Sequence, residues 1–190
     1  MLSGHSGRVR DLAIDHTKHQ VFTCSADHTC KVWDLQSEMS ILSFQPQYCQ
    51  EMTCSSISEH LYAVGSQTHV TLFDSRMKEV VHSFDGNDDG WGVRSLIIHE
   101  DILTVGGGKG RISFYDFTAR QYLEIQDKKY HTSGNGWFDF SNHEYLRTMY
   151  GIRLRNAIYT MAYDSDRTQL FTGGGPLALG LVGSYAAVWH

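Results

Sequence analysis

Positive charge is in deficit: Lys and Arg total 16 against 21 for Asp and Glu, a formal net charge of −5 with the 11 histidines neutral. Phosphate binding needs a concentrated basic surface that releases counterions, so this balance argues against nucleic acid as the main partner. Long apolar runs are lacking too. No stretch approaches the ~18 consecutive apolar residues of a membrane span, and Met1-Leu2-Ser3-Gly4-His5 has neither the charged start nor the apolar core of a secretion signal. The expected compartment is cytoplasm, nucleus or both, with no membrane partner. Cysteine is sparse. Cys24, Cys30, Cys49 and Cys54 lack the tight paired spacing of a zinc site and the density of a disulfide-stapled module, so reduced, mostly buried thiols are expected.

Catalytic signatures are missing as well. There is no Gly-x-Ser-x-Gly elbow, no Cys-x-x-Cys and no His-x-x-x-His, and Asp88-Asp89 sit in a Gly-rich stretch that reads as solvated. Gly106-Gly107-Gly108-Lys109-Gly110 lacks the spacing, the Ser or Thr and the helix of a phosphate loop; a tight turn between strands explains it better. Neither enzymatic activity nor a metal or cofactor is expected.

What is present is a repeat. Short apolar strands, small-residue turns and alternating strands end four times in an aromatic followed by a polar residue, Asp in three: Val32-Trp33-Asp34, Leu72-Phe73-Asp74, Phe114-Tyr115-Asp116 and Val188-Trp189-His190. The Asp positions lie 40 and 42 residues apart, the period of a four-stranded propeller blade. The last interval, 74 residues, carries an insertion. The reading is an all-β chain: a partial β-propeller ring of about four four-stranded antiparallel blades at residues 4–44, 49–84, 91–125 and 157–190. Outer strands are expected at 41–44, 79–84 and 121–125, and the fourth blade is expected to stop at its third strand. Residues 126–156 form the insertion, a Gly-, Asn- and Ser-rich loop with a short helix expected at 144–150. Such an open ring exposes apolar faces, so an N-terminally shortened propeller, a fragment or self-pairing is expected.

The first unit resembles the WD-repeat family, through Gly4-His5, "VFTCS", Ala26-Asp27-His28-Thr29 and "CKVWD". That resemblance implies a buried hydrogen-bonded tetrad of His5, Thr23 or Ser25, Asp27 and Trp33. The slots matching Asp27 hold Gln67 and Lys109 in the next two units, which must rely more on apolar packing. From Leu61 onward, "YAVGSQTHVTLFDSR", "GVRSLIIHEDILTVGGGKGRISFYD" and "NAIYTMAYDSDRTQLFTGGGPLALGLVGSYAAVWH" resemble the DDB-and-Cullin-4-associated factors, substrate receptors of a Cullin-RING ubiquitin ligase.

Two things follow from the resemblance. Such receptors end a blade in Trp-Asp-x-Arg to meet the ligase's propeller-built adaptor, the large subunit of damage-specific DNA-binding protein. Phe73-Asp74-Ser75-Arg76 fits that ending, with Phe for Trp and Arg76 on the bottom rim. The resemblance also implies cargo with acidic C-termini, notably paired glutamates, and hence clustered cations on the top rim. Arg94 is the first choice, with Arg8 and Lys109 on the same rim and Arg147 in the insertion.

Overall fold

The computed structural model describes residues 2–134, 136–139, 141, 155–177 and 181–190, and every regular element among them is a strand. Blade one is β1 (Val9–Asp15), β2 (Gln20–Ser25), β3 (Cys30–Asp34) and β4 (Met39–Phe44), hydrogen-bonded in that order. Blade two repeats the plan with β5 (Cys54–Ser58), β6 (Leu61–Gly65), β7 (His69–Asp74) and β8 (Glu79–Asp85). Blade three has β9 (Val93–His99), β10 (Ile102–Gly107), β11 (Arg111–Asp116) and β12 (Gln121–Tyr122). All the pairings are antiparallel.

The recurring Asp has a local physical cause. At each third-strand end its carboxylate accepts backbone N–H groups of the following turn: Gln36 and Ser37 on Asp34, Arg76 on Asp74, Thr118 and Ala119 on Asp116. These Asx turns aim the chain back along the outer strand. Four residues after each Asp, Glu38, Lys78 and Arg120 take the left-handed conformation at φ 56°, 56° and 55°. The three hairpins therefore share one geometry.

Blade four departs from expectation. Its inner three strands are β15 (Asn156–Tyr163), β16 (Leu170–Pro176) and β17 (Gly183–Trp189), and a fourth strand does exist. It is β14 (Trp137–Phe138), drawn from the insertion, which pairs Trp137 with Ser184 and Phe138 with Gly183. The insertion also supplies β13 (His131–Thr132), which pairs with the start of β11. Blade three's outer strand is thus split: β12 covers one end of β11, β13 the other, and the chain leaves the sheet between them. The helix expected at 144–150 lies outside the described residues.

The core sits in the seams between blades. Phe22, Val32, Tyr62 and Phe73 fill the first seam, Leu72, Phe84, Leu103 and Tyr115 the second, and Ile112, Ile158, Leu170 and Tyr185 the third. In blades two and three the third-strand aromatic packs across a seam: Phe44 stacks on Phe73 at 4.0 Å and Phe84 on Tyr115 at 3.6 Å, each pair crossing from one blade to the next. Polar bonds pin the same seams. Ser55 donates its backbone N–H to Asp11 at 2.6 Å, Ile98 donates its N–H to the Ser56 hydroxyl at 3.1 Å, and Ser95 donates its hydroxyl to the Ile158 carbonyl at 2.9 Å. Through these bonds β1, β5, β9 and β15 stand side by side as an inner row.

Candidate functional site: two rims of the blade row

Blade one is held by a polar chain. His5 bonds the Asp27 carboxylate at 2.9 Å through Nδ1 and the Thr23 hydroxyl at 2.8 Å through Nε2, and Trp33 donates its indole N–H to the same hydroxyl at 2.8 Å. Ser25 stands outside this chain; its hydroxyl accepts the Asp27 N–H at 3.2 Å. Burial alone would raise the Asp27 carboxyl, but hydrogen bonds from Thr29, His5 and the Ser6 backbone outweigh it and hold the group well below the usual carboxylate range. Blade four keeps half of the chain: Trp189 donates to the Thr172 hydroxyl at 3.0 Å. The signal for Thr172 was available, since "QLFTGG" repeats the "VFTCS" position, but the longer turn before β17 shifts its distance from the tryptophan.

On the bottom rim, where third strands end, Asp74 and Arg76 form a clamp. The Arg76 guanidinium donates to both Asp74 oxygens, at 3.1 and 2.7 Å, while the Arg76 backbone N–H donates to Oδ1 at 2.8 Å. Asp74 is buried, yet the Arg76 side chain stays 64% exposed. Hydrogen bonding from Arg76 lowers the Asp74 carboxyl to about 2, against a smaller opposing push from burial. The other two turns have Gln36 and Thr118 in the position of Arg76, so no equivalent clamp arises there. Arg76 borders a cleft of about 810 Å³ between blades two, three and four, shared with Glu59, His60, Asp101, Phe117 and Arg167.

On the top rim Arg94 occupies a register break in β9, between Val93 and Ser95. Such bulges re-aim a side chain. One guanidinium nitrogen donates to the Trp91 carbonyl at 3.0 Å, while the buried Nε has no partner among the described residues. Tyr159, at the matching break in β15, donates its hydroxyl to Pro176 at 3.3 Å, and the Arg94 charge offsets part of the rise that burial imposes on the phenol. Lys109 is already engaged, with its ammonium 3.0 Å from Asp89, a carboxylate it shares with Arg111 at 2.6 Å. Its backbone N–H is held at 2.9 Å by Asp88, a carboxyl that burial pushes up to about 6. A methyl at Gly107 would overlap that carboxyl, so the turn must pass it without a side chain.

Arg8 is exposed ahead of β1, and among the described residues no hydrogen bond or ion pair joins it to Arg94 or Lys109. Arg147 lies outside the described residues. A further arginine emerges from the register: Arg10 sits at the break between Val9 and Asp11 in β1, the position of Arg94 in β9. The signal was the recurrence of Val9-Arg10 as Val93-Arg94.

A family model described as the DDB1- and CUL4-associated factor 12 beta propeller matches residues 2–190. The chain belongs to that family. Among curated proteins, the chain is 27% identical over 135 residues to a U3 small nucleolar RNA-associated protein 15 homolog of Xenopus laevis, covering 68% of this chain and 25% of that protein. It is 24% identical over 157 residues to a WD repeat-containing protein 89 homolog of Dictyostelium discoideum, covering 78% of this chain and 42% of that one. The chain thus spans about a quarter of the frog relative. Among solved structures, the RRP9 WD40 repeats superpose with TM-score 0.69 at 14% identity, over 92% of this chain and 47% of that one. The computationally designed Ika4 protein superposes with TM-score 0.67 at 18% identity, over 100% of this chain and 95% of that one. At these identities the structural likeness speaks for the WD-type propeller fold alone.

Proposed function

We propose that the chain is a non-catalytic substrate-receptor subunit of a Cullin-4 RING ubiquitin ligase, working in the cytoplasm, the nucleus or both. The bottom rim around Phe73, Asp74 and Arg76 docks on the propeller-built adaptor, the large subunit of damage-specific DNA-binding protein. The observation that carries this reading is the clamp. A buried carboxylate fixes the plane of an exposed guanidinium, which leaves its remaining N–H donors aimed outward for a partner's carboxylate or carbonyls. Because Arg76 is ordered before binding, little side-chain entropy is lost when the partner arrives. Phe73 acts from beneath: it is buried in the first seam and sets where β7 ends.

The top rim captures acidic protein C-termini. A chain ending in two glutamates offers three carboxylates, and Arg94, whose guanidinium bonds a carbonyl and pairs with no acid among the described residues, is the top-rim cation left for them. Arg8 and Arg10 lie on the same rim of blade one; Lys109, neutralised by Asp89, shapes the turn more than it binds. Direct nucleic-acid binding forms no part of this reading. Co-purification with the adaptor tests the bottom rim: Arg76→Ala abolishes recovery, and unchanged recovery refutes it. A peptide ending in Glu-Glu tests the top rim against its amidated and Glu-Ala versions, and equal affinity for all three refutes it.

The likeness to U3 small nucleolar RNA-associated relatives favours a second reading, a WD-repeat scaffold outside any ligase. That reading predicts no adaptor binding by the unsubstituted protein.

A further inference from the structure

The cleft of about 810 Å³ beside Arg76 is framed by the inner hairpin turns of blades two, three and four, so it lies within the blade row. Its floor is apolar. Leu61, Ile98 and Phe117 reach it from the second seam and Tyr163 from the third.

Its mouth is acidic. The β5–β6 turn brings Glu59 to it, the β9–β10 turn Glu100 and Asp101, and the β15–β16 turn Asp164. Glu59 and Glu100 lie 41 residues apart and hold the same place in their two-residue turns, both left-handed at φ 42° and 50°. The repeat itself therefore sets two carboxylates on neighbouring turns.

The nearby cations are engaged elsewhere. Arg76 is paired with Asp74 at 2.7 Å, and Lys18, which donates to the Glu59 backbone carbonyl, has the Asp15 carboxylate at 3.7 Å. Arg167 lies against the His99 ring, 3.2 Å from Nε2, and Asp164 of the same turn offsets its charge. Glu59, Glu100 and Asp101 are exposed, and among the described residues no ion pair reaches them. Three uncompensated carboxylates thus surround an apolar floor.

We propose that this cleft seats a basic segment of the docked adaptor, with apolar side chains on the Leu61 and Phe117 floor and Lys or Arg against Glu59, Glu100 and Asp101. The inference rests on the reading that the bottom rim docks the adaptor, and it names the chemistry of the adaptor's side of that contact. A lone inorganic cation would use the mouth and leave the floor in water, whereas a protein segment uses both. An apolar centre with a charged margin is the ordinary anatomy of a non-obligate interface. The Glu59 charge also acts on Arg76, so a partner carboxylate brought to the clamp would face Glu59 as well. Backbone carbonyls of the adaptor are therefore the better acceptors for Arg76, and its cations belong in the cleft.

Calorimetry with the adaptor tests the charge of the segment, on the unsubstituted protein and on three variants. Glu100→Gln with Asp101→Asn should weaken binding by about 5-fold, the loss of two margin ion pairs. Glu100→Lys with Asp101→Lys should weaken it by about 30-fold or more, because like charges then meet. Glu51→Lys, exposed in the β4–β5 loop on the opposite rim, should stay within about 2-fold, since salt screens so distant a charge. Raising salt from about 50 to about 500 mM should weaken the unsubstituted protein more than the neutralised variant. Charge reversal that leaves affinity unchanged or improves it, while Arg76→Ala still abolishes recovery, overturns the basic segment and leaves the receptor reading intact. An equal loss from Glu51→Lys also overturns it, since net charge alone then explains the effect. If the reversed variant fails to fold by circular dichroism, the neutralised variant decides. No adaptor binding by the unsubstituted protein removes the receptor reading and this inference together.

Discussion

The two rims hold their arginines in opposite ways. Arg76 on the bottom is paired through two nitrogens with a buried Asp74, a contact built into the turn that ends β7. Among the described residues Arg94 on the top has no carboxylate partner, one bond to a carbonyl and a buried Nε with none. The difference teaches that a cation's readiness for a partner depends on what already neutralises it. Arg76 presents a rigid, half-satisfied fork suited to one fixed docking geometry; Arg94 presents an unmet demand for an anion, suited to a mobile carboxylate tail.

The sharpest way to break this comparison is Arg76→Ala. Truncating an anchor arginine at an interface centre costs 2 kcal/mol or more, so adaptor affinity should fall by about 30-fold or more in calorimetry. Arg94→Ala should weaken a Glu-Glu peptide by about 10- to 30-fold by fluorescence anisotropy, because it removes a charge-assisted hydrogen bond of about 1.5–2 kcal/mol. Arg94→Lys should recover only part of the loss, as an ammonium cannot offer the planar fork.

Asp74→Asn sharpens the contrast from the other side. It leaves Arg76 charged but loosens its plane, and adaptor affinity should fall by only about 3- to 10-fold, the loss of about 1 kcal/mol of preorganisation. The same substitution removes an acid-sensitive contribution. Asp74 is held below its ordinary value, so its stabilisation is present at neutral pH and is lost as pH falls below 4 toward about 2. Urea midpoints for Asp74→Asn and the parent should converge over that window.

The smallest expected effect concerns Asp88, whose sign is reversed. Burial raises this carboxyl to about 6, so the folded state holds a proton that the unfolded chain has released, and ionisation above pH 6 costs stability. Asp88→Asn should therefore raise the urea midpoint at pH 7.5. The gain should shrink as pH drops through 6 toward 4, and an equal gain at both ends would contradict the assignment.

Much of the fold was legible because two signals agreed. Period-two alternation marked strands, and Asp34, Asp74 and Asp116 marked turns whose backbone N–H groups they cap. The fourth strand of blade four was not legible, since Trp137–Phe138 is too short to show alternation and precedes the strand it pairs with by more than forty residues. At the site, the Asp74–Arg76 clamp could be suspected from two residues of spacing. The neutralisation of Lys109 by Asp89 could not, because twenty residues and two strands, β9 and β10, separate them in the chain. Arg10 needed the register, which shows that Val9-Arg10 and Val93-Arg94 share one bulge.

The central claim is that two rims serve two partners independently. Its most direct test is a crossed measurement of adaptor and Glu-Glu peptide affinity on Arg76→Ala and on Arg94→Ala. The account predicts that Arg76→Ala loses the adaptor and keeps the peptide, while Arg94→Ala keeps the adaptor and loses the peptide. Substitutions that each weaken both ligands, or neither, would contradict it.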